Sequence, residues 1–110
     1  MSNEPTFEQK LIMKIANLNA KKWLDDHEFN ASFRDEWSTE YAKITNGYPD
    51  FIVRIFVHRD TYVCMDMYRR ASRNWPLELK LNQKSLKRVE NTLNYWFKKE
   101  LEHSEDEYVR

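Results

Sequence analysis

The sequence predicts an α+β domain in which a small three-stranded antiparallel sheet packs against two amphipathic helices. The strands are expected in a β-rich hairpin over residues 51–68 and near residues 77–81, where leucines alternate with charged residues. One glycine and three prolines in 110 residues disfavour a many-stranded sandwich or barrel. A chain of this length forms one domain, so residues 1–110 are expected to fold together, with 1–5 and 104–110 frayed.

The predicted hairpin joins two β-rich runs through the polar segment His58-Arg59-Asp60-Thr61. With Arg59-Asp60 as a two-residue loop, side chains sort onto two faces by the strand period of two. One face then carries Phe51, Val53, Ile55 and Val57 with Tyr62, Cys64, Asp66 and Tyr68. The other carries Ile52, Arg54, Phe56 and His58 with Thr61, Val63, Met65 and Met67. Both faces are mostly apolar, which predicts cover on both sides, by the chain's own helices or by a second molecule.

Amphipathic helices are predicted at both ends of the chain. Thr6 and Gln9 fit a capping box that starts a helix over 6–26. Asn82 fits the N-cap of a second helix over 83–102. The first apolar stripe consists of Phe7, Leu11, Ile12, Ile15, Leu18, Trp23 and Leu24, and the second of Leu86, Val89, Leu93, Trp96, Phe97 and Leu101. We expect these two helices to cover one face of the sheet.

A third helix is predicted near residues 30–45 because aromatic residues recur there every four positions. Asn46-Gly47 would end it with a left-handed cap. The same residues favour β-structure, so the alternative is an edge strand near residues 37–44. The helix would cover the second sheet face. Without it, the face bearing Ile52, Phe56, Val63, Met65 and Met67 becomes the candidate binding surface, since methionine adapts to varied partners.

Catalytic and metal chemistry find little support in the sequence. In Asp25-Asp26-His27-Glu28 only the first and last residues have the spacing that shares a helix face, which indicates a solvated helix end and no metal site. In the predicted register Cys64 and His58 lie on opposite faces, too far apart for a nucleophile and its base. We therefore predict no catalytic residues and no cofactor. A small metal-independent ribonuclease using His58 or His27 with nearby arginines is the third hypothesis.

Charge is unevenly distributed along a chain of zero net charge. Residues 51–90 hold nine basic against four acidic residues, while both ends are acidic. Arg69, Arg70, Arg73 and Trp75 lie close together and belong to the residue types that dominate protein interfaces. We predict a non-catalytic regulator, inhibitor or adaptor that binds a protein through these four residues with Met65 and Met67. The alternative is a nucleic-acid-binding module in which the same arginines and Trp75 act with Lys84, Lys87 and Arg88.

Cysteine content and hydropathy bear on the compartment. Cys64 is the only cysteine, so an intramolecular disulfide is excluded and a buried thiol is expected. The N-terminal residues lack the apolar core of a signal peptide, and no run reaches the length of a membrane span. We expect a cytoplasmic protein without membrane association. A homodimer is one arrangement that would cover the second sheet face.

Overall fold

Along the described part of the chain, one helix precedes five strands and a second helix follows them. The computed structural model describes the backbone of residues 4–70 and 76–108, and the side chains of these residues up to residue 102. The elements are α1 (Phe7–Asp26), β1 (Phe29–Arg34), β2 (Ser38–Thr45), β3 (Tyr48–His58), β4 (Tyr62–Arg69), β5 (Leu77–Leu81), a 3-10 turn (Ser85–Arg88) and α2 (Val89–Tyr108).

The strands form one antiparallel sheet in the order β1-β2-β3-β4-β5, so each strand pairs with the next along the chain. Both helices lie on one side, because the buried core joins residues of α1 and α2 to a single face of the central strands. The α+β class is confirmed. The predicted number of three strands is wrong, since β1 and β2 extend the sheet beyond the hairpin and β5.

The predicted helix near residues 30–45 is wrong, and a β-hairpin takes its place. Aromatic spacing of four residues fits one helical turn, but it also equals two strand periods, so it could not separate the two structures. A local turn separates the strands: the Asp35 carboxylate accepts the backbone N–H of Trp37 at 2.8 Å and of Ser38 at 2.9 Å. Asn46 and Gly47 have φ of 54° and 84° and form the two-residue turn between β2 and β3.

The β3–β4 register differs from the prediction by one residue. His58 pairs with Tyr62, so the loop has three residues, with left-handed backbone at Arg59 and Asp60 (φ of 48° and 61°). A one-residue shift moves every side chain of a strand to the other face. Val63, Met65 and Met67 therefore lie under the helices beside Val53 and Ile55. Cys64 and Asp66 lie on the opposite face.

Helix α1 begins as predicted, and part of its predicted stripe is buried, since Trp23 and Leu24 lie in the core and Ile12 and Ile15 pack against it. The capping box is present: the Thr6 N–H donates to Gln9 Oε1 at 2.8 Å, and the Gln9 N–H donates to Thr6 Oγ1 at 3.1 Å. The residues that α1 buries are Met13, Ala16, Ala20, Trp23 and Leu24. The two alanines let the helix backbone approach its neighbours closely. Three large apolar residues of the predicted stripe, Phe7, Leu11 and Leu18, are exposed.

The C-terminal half follows the predicted order. Asn82 Oδ1 accepts the backbone N–H groups of Lys84 and Ser85 at 2.9 and 3.0 Å, which caps the 3-10 turn that precedes α2. The two helices run in the same direction, since Asn19 donates to the Leu86 carbonyl at 3.1 Å and the Trp23 indole N–H donates to Asn94 at 3.3 Å. Phe97 packs on the Trp23 ring, with centroids 5.6 Å apart.

Candidate interaction surface

The sheet face turned away from the helices is the candidate site, and we call it the open face. No helix among residues 4–70 and 76–108 packs on it. Alternation along paired strands places one set of side chains there. They are Ser38, Glu40 and Ala42 of β2, Ile52, Arg54, Phe56 and His58 of β3, Tyr62, Cys64, Asp66 and Tyr68 of β4, and Glu78 and Lys80 of β5.

A charged row crosses the middle of the open face. Glu40 pairs with Arg54 in the β2–β3 register, Arg54 with Asp66 in the β3–β4 register, and Asp66 with Glu78 in the β4–β5 register. The Arg54 guanidinium donates to both Asp66 oxygens, at 3.0 and 2.5 Å. This bidentate geometry is the strong form of an ion pair and fixes the position of both side chains.

Burial sets the electrostatics of this pair. Asp66 is 0 % exposed, whereas the Arg54 side chain is 35 % exposed. Loss of hydration raises the pKa of the Asp66 carboxyl, while its bond to Arg54 acts in the opposite direction and the nearby Glu78 raises the pKa further. The bond to Asp66 raises the pKa of Arg54. The row thus holds one guanidinium among three carboxyl groups.

Aromatic rings lie on both sides of the charged row. The Arg54 guanidinium lies 4.7 Å from the Phe56 ring centroid and 5.7 Å from that of Tyr68. Tyr62 contacts His58, with ring centroids 5.2 Å apart, and the Lys80 ammonium lies 5.0 Å from the Tyr62 ring. All four rings are partly exposed. The open face therefore presents flat apolar area around an ordered arginine.

The described members of the predicted protein-binding set lie in different environments. Met65 and Met67 are both 0 % exposed in the core, so they are core residues and not surface contacts, because the register places them under the helices. Arg69 donates to Asp50 at 2.9 and 3.1 Å and lies over the Phe51 ring at 4.8 Å. Arg70 is exposed. Arg73 and Trp75 lie outside the described residues.

The basic residues predicted to bind nucleic acid fall into two groups. Lys84, Lys87 and Arg88 are exposed on the 3-10 turn that follows β5. The last residue of β5, Leu81, pairs with Val63 at the start of β4. Arg69 stands at the other end of β4, roughly 20 Å away at about 3.3 Å per residue. The described basic residues therefore do not form one continuous surface.

Cys64 and His58 lie on the same face, contrary to the predicted register. Phe56 pairs with Cys64 and His58 pairs with Tyr62 in neighbouring strands. Burial raises the pKa of the Cys64 thiol to about 11, so the thiolate that nucleophilic catalysis needs is scarce at neutral pH. The thiol contacts the Met65 carbonyl oxygen at 3.7 Å. Its position is that of a buried structural thiol.

The remaining histidine and carboxylate candidates lie at the far end of α1. The His27 ring stacks on Trp23 with centroids 4.0 Å apart and bonds to the Trp23 carbonyl at 2.8 Å. It lies on the helix-covered side, near Phe97, whereas His58 lies on the open face. Among the residues that the structure describes, no group of three or more His, Cys, Asp or Glu side chains is placed to hold a metal ion.

A cleft of about 760 Å³ lies between α1 and the β1–β2 hairpin. Its lining carries Lys10, Lys14, Lys21 and Arg34 together with Asp25, Asp35 and Glu36. The Tyr41 hydroxyl donates to Asn17 there, and burial raises the pKa of Tyr41. Charges of both signs leave the cleft without a defined ligand chemistry.

Sequence reasoning missed Arg54, Asp66, Tyr62 and Tyr68 as members of one surface. The signal was present in the sequence. With a three-residue loop, the open-face positions 54, 56 and 58 all carry a charged or aromatic residue, and so do two of the three positions opposite them, the exception being Cys64. The two-residue loop assumed for the hairpin divided this set between two faces.

Neither described helix has the length and hydropathy needed to cross a bilayer. Comparisons of the chain with protein-family models, curated proteins and solved structures find no match.

Proposed function

We propose that this chain is a non-catalytic interaction protein, a regulator, inhibitor or adaptor, that binds another protein through the open face of its sheet. The observation that carries the proposal is the ordered Arg54–Asp66 pair set among Phe56, Tyr62 and Tyr68 on a face that no described helix covers. Tyrosine and arginine are enriched in the residues that dominate binding free energy at protein interfaces. The cytoplasm is the expected compartment, where the lone thiol of Cys64 would remain reduced.

Preorganisation supports a binding role. Binding usually costs the entropy of fixing long side chains at the interface. Arg54 is already fixed by two bonds to Asp66 and by contact with two rings, so little further ordering is required when a partner covers it. The other residues of the open face belong to paired strands, whose backbone is already fixed by the sheet.

The charge of the open face favours a protein over a nucleic acid. Arg54 and Lys80 stand against Glu40, Asp66 and Glu78, so acidic groups are in excess. A phosphate backbone requires uncompensated positive charge. Phosphate would be repelled by the two outer carboxylates, whereas a protein segment with apolar and basic side chains complements this face.

Site-specific photo-cross-linking tests the proposal. Phe56 and Tyr62 are replaced, one at a time, by the photo-reactive residue benzoylphenylalanine, and the proteins are irradiated in the native cells. Tyr95 on α2 is the matched control, since it is an aromatic residue that is 58 % exposed and lies away from the open face. We expect the same protein adduct from both open-face positions and none from the control. Equal capture from position 95, or no protein adduct from either open-face position, contradicts the proposal.

Nucleic-acid binding remains the second proposal, supported by the exposed Lys84, Lys87 and Arg88, which lie at the start of the 3-10 turn and within it. Binding of an oligonucleotide through these residues should weaken steeply as salt is raised, because phosphate contacts release counterions. Lys84→Glu with Lys87→Glu should abolish it. Affinity that is independent of salt, or an unchanged affinity in the double variant, contradicts this second proposal.

A further inference from the structure

The outer face of α1 is a second exposed surface, and its chemistry is opposite to that of the open face. Phe7, Leu11 and Leu18 are 82 %, 44 % and 63 % exposed on the side of the helix that faces away from the sheet. Lysines border this apolar stripe on both sides: Lys10, Lys14 and Lys21 on the side where the helix meets the cleft, and Lys22 on the other side. An apolar stripe on the solvent side of a helix marks an interaction surface when basic residues border it.

Two of these lysines have no carboxylate partner. Lys10 pairs with Glu4 at 3.2 Å and Lys21 with Asp25 at 3.3 Å. Lys14 and Lys22 make no ion pair with any residue that the structure describes. The outer face of α1 therefore presents two free ammonium groups, with Leu18 midway between them in sequence.

The open face presents two matching carboxylates. Glu40 and Glu78 stand at the two ends of the charged row and form no ion pair within the described part of the chain. They are separated by three strand spacings, about 14 Å at 4.8 Å each. Lys14 and Lys22 are eight residues apart on α1, about 12 Å at 1.5 Å per residue. The flexible lysine stems span the difference.

Because the two spacings agree, we infer that a second copy of this chain is a partner of the open face, with its α1 lying across the strands along the charged row. Lys14 and Lys22 of one copy then meet Glu40 and Glu78 of the next. Leu18 lies between them, over the aromatic rings beside Arg54. The inference rests on the proposed function, because it names the occupant of the same surface.

The assembly is head-to-tail. The outer face of α1 and the open face point in opposite directions, since α1 packs on the other side of the sheet. In a closed dimer, therefore, the two copies cannot each place α1 on the open face of the other. A contact between unlike surfaces repeats from copy to copy, which gives a growing stack or a ring.

Charge reversal on each surface tests this geometry. The helix variant carries Lys14→Glu and Lys22→Glu, and the sheet variant carries Glu40→Lys and Glu78→Lys. Sedimentation velocity at low salt should show wild-type mass increasing with concentration, while each variant alone stays a monomer. A one-to-one mixture of the two variants should regain association, because each then supplies the surface that the other lacks. Lys84→Glu with Lys87→Glu is the matched control, and it should associate like the wild type.

Three results would overturn the inference. A wild-type protein that is monomeric at every concentration overturns the inference, and so does association that persists in either variant alone or fails to return in the mixture. Failure of the inference is distinguishable from failure of the proposed function. A monomer whose open face cross-links to a different protein keeps the proposed function and removes only the second copy as occupant.

Discussion

The two faces of the sheet are built from neighbouring residues of the same strands, yet they are stabilised differently. On the covered face, Val53, Ile55, Met65 and Met67 are all 0 % exposed and pack under both helices. Burial of each such side chain contributes about 1.5–3 kcal/mol. The open face contains a bidentate ion pair among partly exposed rings, and such pairs often add little net stability. The comparison indicates that the covered face contributes most of the stability, whereas the open face holds ordered and partly exposed groups.

Substitution at two adjacent residues gives the largest expected contrast. Ile55→Ala leaves a cavity in the core and should lower the free energy of unfolding by about 3–4 kcal/mol. Phe56→Ala, one residue further and on the other face, should cost only about 1 kcal/mol because its ring is partly solvated. Denaturant unfolding of both variants measures the difference. Equal losses would mean that the open face is buried in solution, by association or by another part of the chain.

Removal of the arginine should have the next largest effect. Arg54→Met keeps an unbranched aliphatic side chain but removes the guanidinium that lies over Phe56, and it leaves Asp66 buried without its cation. An uncompensated buried charge costs about 3 kcal/mol. The loss should shrink in acid, where Asp66 is protonated. The free energies of unfolding of the variant and of the wild type, measured at neutral and acidic pH, test this. A loss of stability that does not depend on pH would show that the charge of Asp66 is not its cause.

The pH dependence of stability tests the effect of burial on the Asp66 carboxyl. Because burial raises the pKa of Asp66 above its ordinary value of 3.8, the folded protein binds this proton more tightly than the unfolded chain. The contribution of Asp66 to stability is then complete below the ordinary pKa and is lost as the pH rises through the raised value. As the pH rises from the ordinary pKa to the raised one, the free energy of unfolding of the wild type should fall relative to that of Asp66→Asn. At higher pH the difference between the two proteins should stay constant. A relative gain for the wild type would show that Arg54 outweighs burial.

The sequence predicted those features that depend on local chemistry. The capping box at Thr6, the cap at Asn82 and the strand at Leu77–Leu81 all appear, since each is determined by a few adjacent residues. The β1–β2 hairpin was not predicted as a unit, because spacing of four suits either period. The alternative strand near residues 37–44 corresponds to β2, although β1 and not β2 lies at the edge of the sheet. Asn46-Gly47 was correctly assigned a left-handed backbone, but such a backbone ends helices and joins strands equally well.

The candidate surface was harder to predict because it depends on register and on packing between distant elements. One extra loop residue at Thr61 transferred Met65 to the core and Asp66 to the open face. On α1, the hydropathy pattern included Leu18 in the buried stripe. Close packing through Ala16 and Ala20 instead rotated the helix so that Leu18 faces outwards. The orientation of α1 is therefore not encoded in a short segment of the chain, because it depends on the neighbours against which the helix packs.

The smallest expected effect concerns the exposed end of the charged row. Glu78 lies opposite Asp66 and contributes to its raised pKa, so Glu78→Gln should lower the pKa of Asp66 and leave stability within about 0.5 kcal/mol of the wild type. NMR titration of the Asp66 carboxyl measures the shift. Glu90→Gln on α2 removes the same charge from an exposed position outside the open face and is the control. If both substitutions leave the pKa of Asp66 unchanged, Glu78 is too well solvated to act on the row.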